Sequence, residues 1–114
     1  MTKSNFFFIH HEFKEGQAAG FFEWVGGLKP EDWAAVHDKN LSLNVWNHSF
    51  SPSGPNGPCF CYWEAKDGMS KEDFVAFIDG PDGPGAGKIF NNTVYLIPNE
   101  MIGDNTPYPR KFVE

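Results

Sequence analysis

LSLNVWNHSFSPSGPNGPCFCYWEA, residues 41–65, is the stretch on which the fold turns. Its first ten residues alternate, so that Leu41, Leu43 and Val45 fall on one side of an extended chain and Trp46, His48 and Phe50 on the other. Large side chains lie on both sides, and the strand reads as covered on both faces. SPSGPNGP then supplies a rigid, polar, turn-rich connection, and CFCYWEA resumes as a second strand. The pair is expected to form a hairpin with a long loop.

Working outward, NFFFIHHEF at 5–13 is rich in aromatic and β-branched residues and reads as a buried first strand, ended by Lys14, Glu15 and Gly16. In QAAGFFEWVGGL, Phe21, Trp24, Val25 and Leu28 follow the i, i+3, i+4, i+7 spacing of an amphipathic helix, which Gly26 and Gly27 end. Pro30 opens a further helix, PEDWAAVHDKN, where its missing N–H is not needed and Glu31 and Asp32 favour the positive end of the dipole. Beyond the hairpin, Ser70 with Asp73 resembles a capping box, and Phe74, Phe77 and Ile78 line one face of a short helix that stops at Gly80. NTVYLIP supplies the last strand.

The order strand, helix, strand, strand, helix, strand predicts an α+β fold, the ferredoxin-like βαββαβ arrangement with a four-stranded antiparallel sheet and helices on one face. It spans residues 1–98, and 99–114 form an irregular C-terminal extension rich in Pro and Asn. Helices cover one face only, so the apolar residues on the other face need a second cover. Two sheets packed face to face in a homodimer, a dimeric α+β barrel, would provide it.

The chain has 114 residues, with 12 Phe and 4 Trp among them, which gives one core built of large, stiff rings that either interlock or leave a gap for a ligand or partner subunit. A net charge of −6 with 9 Lys plus Arg argues against phosphate-backbone binding, so no nucleic acid is expected. No apolar run approaches the ~18 residues of a membrane span, and the N-terminus is broken by histidine before a secretory-type region is complete. No membrane association is expected and the chain reads as cytoplasmic. The N-x-S/T matches at Asn40, Asn47 and Asn91 are then chance occurrences.

Chemistry-bearing residues are few. Cys59 and Cys61, two apart on one strand, share a face without the geometry for a mutual disulfide and read as buried thiols. GPDGPGAGK at 80–88 resembles a phosphate loop but follows a helix, and Ile89 stands where Ser or Thr is needed; it reads as a flexible connection. On an alternating first strand Phe6, Phe8, His10 and Glu12 share one face and Phe7, Ile9, His11 and Phe13 the other. His10 and His48 are the pair expected to meet across strands, walled by Trp46, Cys61 and Trp63. Three roles compete for them: a satisfied core or interface pair, the polar anchor of an apolar pocket, and metal ligation. His37 has a simpler account near the end of its helix, where a positive charge favours the dipole. Cys61 or Ser49 near His48 lacks any nucleophile signature, and Glu12, Glu64 and Asp67 form no recognisable acid/base pair, so enzymatic activity stays open.

WNHSF at 46–50 and CFCYWEAKD at 59–67, with Ala86 and Gly87 before the last strand, resemble a family of small ferredoxin-like domains of largely unknown function. The resemblance implies a dimeric α+β barrel, a fold also used by cofactor-light monooxygenases and small isomerases. That family includes a nickel-binding member, whose first-strand histidine corresponds to His10. Its metal-binding relatives carry further histidines where this chain has Phe77, Ile78 and Lys88.

The leading expectation is a homodimer binding a small apolar or amphipathic molecule, such as a fatty acid or aromatic acid, in an aromatic-lined cavity. Phe6, Phe8, His10, Trp46, His48, Phe50, Cys61, Trp63 and Phe77 are the expected lining. No cofactor is expected. The alternatives are a nickel-type metal protein using His10 and His48, and a cofactor-light monooxygenase or isomerase.

Overall fold

The computed structural model describes residues 3–113. Its elements are β1 (Asn5–Phe13), α1 (Ala18–Gly26), α2 (Pro30–Ser42), β2 (Val45–Pro52), β3 (Cys59–Ala65), α3 (Lys71–Ile78), a short 3-10 turn (Pro84–Gly87), β4 (Phe90–Ile97) and α4 (Asn99–Ile102). The four strands form one antiparallel sheet in the order β2-β3-β1-β4. This is the expected α+β arrangement, with two helices in the first crossover.

β1 is paired on both edges. Phe7 stands opposite Trp63 and Leu96, and Ile9 opposite Cys61 and Val94, so the alternation read from the sequence holds along the whole strand. Phe7, Ile9, Val45, Cys61, Trp63, Ala65 and Val94 meet Phe74 and Ile78 of α3 in the main core. Phe7 stacks on Phe74 with ring centroids 4.1 Å apart. A second cluster, Phe21, Cys59 and Phe90 with Phe13 against it, lies under α1.

The hairpin departs from the sequence reading in two places. Leu41 and Leu43 do not belong to a strand: α2 runs on to Ser42, and Asn44 at φ 65° turns the chain before β2 begins at Val45. Asparagine tolerates the left-handed region better than most residues, which is why the turn falls there. A bulge follows. Asn47 pairs with Trp63 and Ser49 with Tyr62, leaving His48 as the extra residue. Phe50, now opposite Cys61, therefore joins the helix side and parts company with Trp46, whose partner is Glu64 on the other face.

That other face is covered in part by the chain's own C-terminal segment. Tyr108 stacks on His48, ring centroids 4.9 Å apart and 5° from parallel. Arg110 donates to the Ser4 carbonyl (2.6 Å) and hydroxyl (2.7 Å) and lies over the Phe6 ring, while the Lys111 ammonium is 4.3 Å from the Trp46 ring centre. The anchor is Glu64, 0% exposed, whose carboxylate accepts from His48 Nε2 (2.7 Å), Lys111 N (2.7 Å) and Phe112 N (3.0 Å). Phe8, Phe60, Tyr62 and Tyr95 make a ladder of rings beside it, with Tyr95 54% exposed.

Burial alone would raise the Glu64 pKa, but the donors on Lys111, Ser4, His48 and Phe112 outweigh it and hold the carboxyl below the usual range. Such a depressed pKa contributes stability above the ordinary glutamate range, and the contribution is lost as pH falls through the folded value. Glu64→Ala strands those donors and is expected to cost about 3 kcal/mol in urea unfolding at pH 7, with early proteolytic trimming after residue 103. The mutant should also lose less stability than wild type between pH 5 and pH 3, to the order of the same linkage.

Candidate functional site

On the helix side of the sheet a cavity of about 590 Å³ opens between α1, α2 and the loop running from residue 79 to 89. Phe21 and Trp24 come from α1, and Trp33, Val36, His37 and Asn40 from α2. Their spacing on α2 is i, i+3, i+4, i+7, one face of a helix. That face does not close onto the sheet: Asn40 is the buried residue of α2, whereas Trp33 is 40% exposed. Asn47, Phe50 and Trp63 form the floor.

The loop forms the remaining wall. A Cβ at Gly83 would collide with the Phe77 and Ile78 carbonyl oxygens at the end of α3, so a side chain there would push the loop off the helix. GPDGPGAGK is thus a tightly folded wall. Lys39 of α2 reaches across to Asp82 of the loop at 2.8 Å.

Two buried polar atoms of the lining have no hydrogen-bond partner, His37 Nδ1 and Trp63 Nε1. His37 belongs to the body of α2, its ring 5.0 Å from that of Trp46, rather than to the last turn that a dipole role requires.

Under the floor runs a polar chain. Asn92 Nδ2 donates to Asp79 Oδ1 at 2.9 Å, which turns its Oδ1 toward His11 Nδ1. A carboxylate only accepts, so the amide orientation is fixed; His11 then carries its proton on Nδ1 and presents Nε2 as acceptor to the Cys61 thiol, 3.2 Å away. Burial lowers the His11 pKa, against the hydrogen bond that the ring donates to Asn92. Burial also pushes the Cys61 thiol up to about 12, with the Trp63 indole, short of hydrogen-bond geometry, and the Asn47 amide leaning weakly the other way. The resting pair is a neutral thiol on a neutral imidazole. It resembles a thiol-imidazole-amide catalytic constellation in connectivity, but Cys61 is 1% exposed and not on the cavity wall.

The expected site residues divide across the sheet. Phe50 and Trp63 line the cavity, Cys61 lies beneath it, and Phe77 packs on Trp63 with ring centroids 5.4 Å apart. Phe6, Phe8, His10 and Trp46 belong to the opposite face, and His48 bonds Glu64 there. His10 and His48 do not meet: β3 lies between their strands, His10 stacks on Phe60, and His48 is held by Glu64 and Tyr108. Among the described residues no group of three or more His, Cys, Asp and Glu is placed to hold a metal ion. No helix of the described residues is long and apolar enough to cross a membrane.

The family profile described as Domain of unknown function (DUF8652) matches residues 6–104, from β1 to just beyond α4. The chain belongs to that family. The match takes in every strand, the cavity and the Cys61–His11–Asn92 chain, and stops short of Tyr108, Arg110 and Lys111. No curated protein and no solved structure shows significant similarity to the chain.

Two outcomes follow from the buried pair. His11 has a folded pKa below its unfolded value near 6.5, so the unfolded chain binds more protons in that window and stability falls as pH drops through it. Chemical denaturation at pH 7, 6 and 5 should show this slope, flattened in His11→Gln. Iodoacetamide at pH 7.5 should leave both cysteines unmodified in the native protein and alkylate both in 6 M guanidinium, read by intact mass.

Proposed function

We propose that the protein binds a small, mainly apolar molecule in the cavity between α1, α2 and the 79–89 loop. The observation that carries this reading is the wall itself: Phe21, Trp24, Trp33, Phe50 and Trp63 surround about 590 Å³ of space that no side chain among the described residues fills. Well-packed interiors leave few voids larger than a water molecule, and spaces of this size lined by aromatic residues are the usual form of a small-molecule site. This reading puts the ligand on the helix side of the sheet, away from Phe6, Phe8, His10, Trp46 and His48.

A homodimer is a second, compatible proposal. It is supported by the ladder of Phe8, Phe60, Tyr62 and Tyr95, which the C-terminal segment leaves partly open on the opposite face. Sedimentation at micromolar concentration should then give twice the chain mass, and Tyr95→Glu should return it to monomer.

The binding reading is tested with N-phenyl-1-naphthylamine, an uncharged probe that fluoresces on leaving water. Saturable binding to one site per chain is expected. Phe50→Ala should weaken it about tenfold, through lost apolar contact, whereas Phe8→Ala on the other face should leave it unchanged. Absence of saturable binding, or a loss confined to Phe8→Ala, overturns the assignment.

A further inference from the structure

We infer that two copies of the chain meet along the outer edge of β4, FNNTVYLI at 90–97, the two strands pairing antiparallel across a two-fold axis so that both sheets join into one. The inference rests on the homodimer reading above and names the surface that carries it.

β4 is an edge that nothing blunts. The sheet order leaves it paired on one side, with β1. Lys14 N donates to Ile89 O at 2.8 Å where that pairing begins, and this sets the phase of the ladder. Asn91, Thr93, Tyr95 and Ile97 turn their N–H and C=O inward to β1, whereas Asn92, Val94 and Leu96 turn theirs outward. Among the described residues no backbone group bonds those three from the outer side. Natural sheets protect such a row with charge, proline, a bulge or a very short strand. β4 keeps unbroken register with β1 over its whole length and holds neither a charged residue nor a proline. The other edge, β2, is protected twice, by the bulge at His48 and by Pro52.

The ends of the strand identify the partner as a second copy. Lys88 precedes β4 and Glu100 follows it, both exposed. Two-fold antiparallel pairing lays the start of one strand beside the end of the other, so the Lys88 end of each copy comes to the Glu100 end of its mate. A chain of net charge −6 repels its own kind, and the uncharged strand between those ends is where the repulsion is least. An axis near Val94 also lets the outward amides of each copy reach carbonyls of the other. Thr93 and Tyr95, the latter 54% exposed, lie on the face that carries Phe8, so the join continues the ladder of rings from one sheet into the next.

Amide hydrogen exchange on the full chain, read residue by residue by NMR, tests the join alongside sedimentation. In the dimer the amides of Asn92, Val94 and Leu96 should exchange within about tenfold of those of Thr93 and Tyr95, which are bonded to β1, giving protection on consecutive residues. Leu96→Pro removes one outward N–H, a change that an edge strand tolerates, and should sediment as a monomer with an unchanged circular dichroism spectrum. Leu96→Thr keeps that N–H and should remain dimeric. Should Leu96→Pro not fold, exchange in the wild-type chain decides alone. A dimer in which protection alternates, with Asn92, Val94 and Leu96 open, or a folded Leu96→Pro that stays dimeric, overturns the edge assignment and leaves the homodimer reading standing. A purified chain that is monomeric throughout overturns both, as it would if the edge served an extended peptide of another protein.

Discussion

A strand with phenylalanine on both faces cannot be an edge, and cannot be left bare on either side. β1 meets the first demand by pairing with β3 and β4 together. The second sets the rest of the structure. Phe7 and Ile9 call for the helix layer, which α3 supplies through Phe74 and Ile78. Phe6 calls for a cover on the reverse, which arrives from a distance of over a hundred residues as Arg110 over its ring. Burying that corner also buries Glu64, and a carboxylate can be taken out of water there because the same segment returns with two backbone N–H groups aimed at it.

The helix layer fits unevenly, and the unevenness is where function is sought. α3 lies on the sheet over Phe7 and Trp63, whereas α2 turns an indole, an imidazole and an amide toward a space and leaves it open. The loop after α3 is wound tightly enough to need glycine against the helix carbonyls, so the space has a firm wall opposite α2. Beneath the floor, Cys61, His11, Asn92 and Asp79 are linked in one hydrogen-bonded chain. On two residues of the wall above, His37 Nδ1 and Trp63 Nε1 are buried without a hydrogen-bond partner.

Much of this was legible in the residues. Aromatic alternation in FFFIHHEF placed His10 and His11 on opposite faces, and the helix spacing of Phe74, Phe77 and Ile78 identified the face of α3 that packs. What escaped was local. A single extra residue at His48 moved Phe50 across the sheet, and no side-chain pattern announces a bulge, because the sequence WNHSF alternates equally well without one. LSL read as strand because Leu41 and Leu43 alternate, yet two residues also fit the end of a helix, and Asn44 decided between them. The cavity wall on α2 was present in the spacing of Trp33, Val36, His37 and Asn40. It was hidden because a helix face that packs on a sheet and one that faces a cavity have the same periodicity. The C-terminal cover could not be inferred from composition, since its hold on Glu64 comes from backbone.

The backbone hold on Glu64 constrains this chain's C-terminal segment in an unusual way. The groups of residues 111 and 112 that bind Glu64 are main-chain amides, which every amino acid except proline possesses. Their hold on Glu64 therefore depends on spacing from the Tyr108 and Arg110 anchors and not on side-chain type: a residue inserted or deleted between those anchors and Lys111 would bring the wrong amides to the carboxylate. The constraint is one of chain length rather than of residue type.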